Sequence, residues 1–171
     1  RAKLFHVVTV DTDTHLIEQG SWFRGVIHFL HCDVSIDGKF LVYMARGSSG
    51  ETWSGLCRLP WLKTLAAAET PGISWGGGYF ADRERLVTDA WRPDESDGAP
   101  VEMPFQLAIK PPGATDGLNI VHARFKRDGF TRAGDDGWIN RPSLDHPTLK
   151  VRYEGYLEDG HNFAFALDDH P

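Results

Sequence analysis

Sulfur is scarce in this sequence of 171 residues, which holds two cysteines and two methionines. Two cysteines in a chain of this length do not make a disulfide framework, so Cys32 and Cys57 read as buried free thiols in two separate strands. Basic charge is also short, with 18 Lys and Arg against 24 Asp and Glu, a net charge of −6 and a pI near 5.7. A nucleic-acid backbone or an anionic membrane would repel such a chain, and neither is expected as its partner. The densest basic group, Arg124-Phe125-Lys126-Arg127, reads as a solvated strand face rather than a binding stripe. No apolar stretch approaches the ~20 residues that span a bilayer, and no signal-peptide pattern is visible. The expectation is a soluble, cytoplasmic protein.

Chemical motifs are equally thin. His28, His31 and Cys32 are zinc-type donors, but no second Cys or His pair at finger spacing completes them. Trp75-Gly76-Gly77-Gly78-Tyr79 lacks the Lys-Ser/Thr of a P-loop and the spacing of a dinucleotide fingerprint. Its glycines suit a bulge or tight crossing where a strand enters the centre of stacked sheets. The carboxylate pairs Asp11/Asp13, Asp94/Asp97, Asp135/Asp136 and Asp168/Asp169 fit turns and match no calcium loop. There is no Gly-x-Ser-x-Gly elbow. Neither a cofactor nor a metal is expected.

What the sequence does contain is a recurring acidic turn between apolar residues. Asp33-Val34-Ser35-Ile36-Asp37-Gly38-Lys39-Phe40-Leu41-Val42-Tyr43 places Asp37-Gly38 at the two positive-φ positions of a tight hairpin, with Phe40, Val42 and Met44 alternating along the next strand. Similar tips recur at Asp82, Asp128 and Asp159, spaced 45, 46 and 31 residues apart. A period in the forties is the length of one four-stranded propeller blade. Gly and Pro number 18 and 10 and are spread along the chain, as many short strands require.

Residues 3–10 read as a strand ending in the Asp11-Thr12-Asp13-Thr14 turn, and Trp22 to Leu30 read as strand-like. Pro60 to Glu69 is the best helix candidate, with Thr70-Pro71-Gly72 as its stop. Residues 92–100 and 111–117 are loops, and strands resume over Leu118–Arg124 and Leu149–Tyr153. The fold expected is all-β and antiparallel, a single domain over 1–171 of three to four propeller-like blades, with a β-sandwich as the alternative.

Gly20-Ser21-Trp22-Phe23-Arg24-Gly25, then Cys32 to Tyr43, Thr52-Trp53-Ser54, Arg58-Leu59-Pro60 and Trp75-Gly76-Gly77-Gly78, together resemble a family of uncharacterised bacterial proteins expected to be propeller-like. The likeness covers residues 3 to 90 and, more weakly, Asp136-Gly137-Trp138. It implies a fold and carries no activity, ligand or catalytic residue. It also implies strands upstream of Lys3, so the chain is expected to lack part of its front and to present an open sheet edge.

The functional expectation is protein recognition without catalysis, the partner being another protein or a second copy that covers the open edge. Trp91 beside the acidic residues Asp94, Glu95 and Asp97 is the candidate interaction site, an aromatic anchor with a polar rim. The rival is a hydrolase or lyase at the central mouth using His28, His31, Asp33 or Asp37. A structural subunit of a larger assembly is the third reading.

Overall fold

The computed structural model describes residues 3–11, 13–72, 75–91, 104–111, 114–133, 137–140, 150–156 and 163–168. The chain divides into two compact units, Arg1–Arg124 and Phe125–Pro171. Strands dominate both.

The first unit opens with an antiparallel hairpin of Leu4–Val10 (β1) and Ile17–Arg24 (β2). The Asp11 side chain accepts the backbone N–H groups of Asp13 and Thr14 at 3.0 and 2.7 Å, so the turn forms by the side-chain capture its composition suggests. Val26–Ile27 (β3), Asp33–Val34 (β4), Phe40–Arg46 (β5), Thr52–Arg58 (β6) and Lys63–Glu69 (β7) make a five-stranded sheet. In it β5 is central, paired with β3 and β4 on one side and β6 on the other, with β7 beyond β6. Tyr79–Phe80 (β8), Arg85–Thr88 (β9) and Gln106–Ile109 (β10) form a third sheet. Here β8 and β9 are antiparallel but β10 runs parallel to β9, a departure from the all-antiparallel expectation.

Both faces of the middle sheet are covered, each by a different neighbour. Phe40 and Val42 of β5 join Leu56, Ala66, Phe80, Leu86 and Trp91 in one core, which brings the third sheet against this face. Tyr43, Ala45 and Cys57 point the other way, where Phe23 of the hairpin and Trp53 pack, ring edge to face at 5.9 Å. Burying side chains such as Leu56, Phe80 and Leu86 stabilises the fold by about 1.5–3 kcal/mol each. Strand alternation therefore stacks the three sheets in chain order.

The turn between β4 and β5 differs in detail from the tight hairpin expected. Only Gly38 takes positive φ, at 72°, and Asp37 does not. The loop is longer because the Ser35 Oγ accepts the Phe40 N–H at 2.9 Å and donates to Asp37 Oδ1 at 2.6 Å, a side-chain bridge that closes a wider turn. Asp82 likewise organises the β8–β9 turn, accepting the Glu84 N–H at 2.9 Å.

Two secondary-structure expectations are overturned. Pro60–Glu69 is not a helix: after a turn, Lys63–Glu69 runs as β7, with Ala66 opposite Leu56 and Ala67 opposite Gly55. A helix of ten residues has little stability of its own, and edge pairing with β6 outweighs alanine's helix preference. Leu118–Arg124 is not a strand but part of the helix Gly117–Arg127 (α1). Asp116 caps it by accepting the Asn119 N–H at 2.9 Å, and Gly117, Ile120 and Val121 form the buried face at helical spacing. The tip at Asp128-Gly129 consequently ends a helix, with Gly129 at φ 84°.

In the second unit Phe130–Ala133 (β11), Gly137–Asn140 (β12), Lys150–Tyr156 (β13) and Phe163–Asp168 (β14) form an antiparallel meander. The fourth acidic tip, at Asp159, lies outside the described residues, while β13 and β14 on either side of it pair antiparallel.

Candidate functional site

Of the four residues expected at a central mouth, Asp37, Asp33 and His31 have separate structural roles. Asp37 sits on an exposed turn, where the Ser35 hydroxyl holds its carboxyl below the usual range. Asp33 is buried, with Oδ2 accepting the Phe80 N–H at 2.8 Å and Oδ1 3.0 Å from Arg124 Nε. His28 and Cys32 flank the 3-10 turn Phe29–His31 and do not lie on one continuous strand. Among the described residues no group of His, Cys, Asp and Glu is placed to hold a metal.

His31 belongs instead to a polar knot around the triple glycine. Its Nδ1 lies 3.0 Å from the Gly76 carbonyl oxygen, Ser54 Oγ accepts the Gly77 N–H at 2.7 Å, and Thr88 Oγ1 donates to the Gly77 carbonyl at 2.7 Å. Asp89 Oδ1 accepts the Gly76 N–H at 3.0 Å. Four side chains, from the 3-10 turn, β6 and the end of β9, thus grip one stretch of backbone, which is the tight crossing that the glycines suggest. Ser54, His31 and Asp89 contain the residue types of a catalytic triad. However, Ser54 is fully buried and its oxygen is engaged by Gly77, so it offers no accessible nucleophile.

Burial pushes the His31 pKa below its ordinary 6.5, against the Gly76 carbonyl and the Asp89 and Asp116 carboxylates, which raise it. The unfolded chain takes up this proton near pH 6.5, before the folded chain does. The knot's contribution is therefore complete above that pH and lost as the pH falls towards the lowered folded value. The urea midpoint is expected to be lower at pH 5 than at pH 7.5, with a smaller difference in His31→Gln. An unchanged pH dependence in that variant would remove His31 as the cause.

The cysteines are both free, and burial pushes each thiol up to about 12. Neither is a nucleophilic thiolate at neutral pH.

Trp91 is placed in the core with Phe80 and Leu86. Asp94, Glu95 and Asp97, which were to form its polar rim, lie outside the described residues. Two adjoining clefts of about 440 and 240 Å³ share Glu69, Thr70 and Pro71. Arg46 and Glu51 line the larger and Trp75 and Asp89 the smaller. The Ser49 hydroxyl holds the exposed Glu51 carboxyl below the usual range, the reverse of what a general acid needs.

The surface that stands out lies on the hairpin. Directly opposed residues share a face, and the rungs Leu4/Arg24, His6/Trp22, Val8/Gln19 and Val10/Ile17 all lie on the side away from Phe23. The extra residue that shifts the register between His6 and Val8 is on β2, so the alternation of β1 is intact. Leu4, Val8, Val10, Ile17 and Trp22 are 63%, 44%, 55%, 68% and 63% exposed. The Trp22 ring stacks on His6 at 4.1 Å, nearly parallel, which fixes the indole on this face. Sequence reasoning missed this site, although β1 carries the signal of an apolar strand with no Lys, Arg, Asp or Glu.

No helix among the described residues is long and apolar enough to cross a membrane. Neither a family model, nor a curated protein, nor a solved structure matches the chain.

Proposed function

We propose that this chain is a protein-binding module, with the outer face of the β1–β2 hairpin as its docking surface. The observation that carries this reading is the row of five exposed apolar side chains on one sheet face. Their exposed area is on the order of 500 Å², near the top of what a monomer's largest apolar patch reaches. A sheet face of this kind is stable when another sheet or helix covers it. The propeller-like reading goes with it, because blades stack face to face in chain order as the hairpin and the two sheets behind it do. The cytoplasmic setting is proposed on the two unpaired thiols.

A photoreactive amino acid in place of Ile17, which is exposed and outside the core, tests the reading. Illumination is expected to join this position covalently to a polypeptide, either a second copy or a different chain. Products confined to water addition at every concentration, in purified protein and in extract, would sink it.

A further inference from the structure

We infer that the occupant of this face is a second copy of the same chain, docked hairpin against hairpin with the strands antiparallel; this rests on the reading of the face as a docking surface. The charges at the two ends of the hairpin point to it. Lys3 and Arg24 lie at one end, where Leu4 faces Arg24, and Asp11 and Asp13 lie at the turn joining β1 to β2 at the other. All four are exposed, and neither Lys3 nor Arg24 makes an ion pair among the described residues. An antiparallel two-fold contact brings the basic end of each copy to the acidic end of the other, twice over. A parallel one would set like charges together.

Between the ends, the same operation matches apolar with apolar. Leu4 of one copy comes opposite the Val10/Ile17 rung of the other, and the His6/Trp22 and Val8/Gln19 rungs meet near the axis. An isologous contact requires such self-complementarity, and any uncompensated charge near the axis would meet its own image. Apart from Arg24 at the basic end, these rungs hold no Lys, Arg, Asp or Glu. Two faces of this size bury about 1,000 Å² of apolar surface with the charged rim outside, the lower bound for a specific interface. Sheets packing face to face at about 10 Å achieve this with strands near antiparallel alignment.

The test is the solution mass of the intact chain by sedimentation equilibrium across a concentration series, with circular dichroism confirming that each variant is folded. The wild-type chain is expected to move reversibly from 19.1 kDa to twice that mass. Arg24→Glu is expected to weaken association at least tenfold, Ile17→Glu to abolish it, and Asp13→Arg added to Arg24→Glu to restore most of the affinity. Rescue by the double reversal requires the two residues to meet across the interface. A single species of 19.1 kDa up to millimolar concentration would overturn the inference. A doubled mass indifferent to Ile17→Glu and Arg24→Glu would do the same, since the copies would then meet elsewhere. A monomer whose position 17 still crosslinks to a different protein overturns the second copy and leaves the docking surface standing.

Discussion

Gly77→Ala is expected to cost about 4 kcal/mol of stability, a large fraction of the ~5–15 kcal/mol that holds an ordinary domain folded. Gly77 has φ 75°, where a side chain alone costs about 1–2 kcal/mol. The larger cost is steric, because the new Cβ would overlap the carbonyl oxygen of His31, which is backbone and cannot rotate away. Relieving that overlap pulls Gly77 from Ser54 and Thr88, the two hydrogen bonds that tie the crossing to β6 and β9. Gly38→Ala is the control, since its φ is 72° but a Cβ there meets nothing within 4 Å. Urea denaturation of the two variants separates conformational strain from collision. Losses of equal size would show that the crossing is not packed as described.

Asp33→Ala is expected to lose about 3 kcal/mol or more, because a buried carboxylate is removed from two partners at once. Its side chain is 2% exposed and bridges the Phe80 N–H and the Arg124 guanidinium, which also donates to the Cys32 carbonyl at 3.0 Å. Removing it takes a receiver from the first strand of the third sheet and the counter-charge from α1. Asp33→Asn keeps an acceptor for Phe80 while discarding the charge, and about half the loss is expected. The comparison is made by denaturant titration. A loss below about 1 kcal/mol in both variants would contradict this bridging role.

The sequence made most strands visible wherever local chemistry agrees with tertiary placement. Residues 3–10 are rich in β-branched and apolar side chains and end in an Asx turn, and Leu4–Val10 form β1 as expected. Phe40, Val42 and Met44 keep the period of two that divides them from Tyr43 and Ala45, so the central strand was legible together with both of its cores. Where local preference and placement disagree, reading failed. Alanines at 66–68 prefer a helix in isolation but lie flat beside β6, and nothing within residues 60–69 announces that neighbour. Over 118–124 the helical signal was present, in the Asp116 cap and in the i, i+3, i+4 spacing of Gly117, Ile120 and Val121.

The site was less legible than the fold for a related reason. Trp91 and Trp22 look alike as isolated tryptophans, yet one lies among Phe80 and Leu86 and the other stacks on His6 in the open. Register decides between them, because the shift between His6 and Val8 determines which residues of β2 join the face of β1. His31, Ser54 and Asp89 are also far apart in sequence and meet only because the glycine crossing passes between their elements.

The most direct test of the docking face is hydroxyl-radical footprinting of Trp22, with Trp61, which is 55% exposed, as the internal reference. In the dilute purified chain both indoles are expected to oxidise at similar rates, in keeping with their exposure. In the cells that express the protein, Trp22 is expected to be protected severalfold while Trp61 stays reactive. Equal oxidation of the two under both conditions would mean that the face is bare in the working protein, and the hairpin would not be its binding surface.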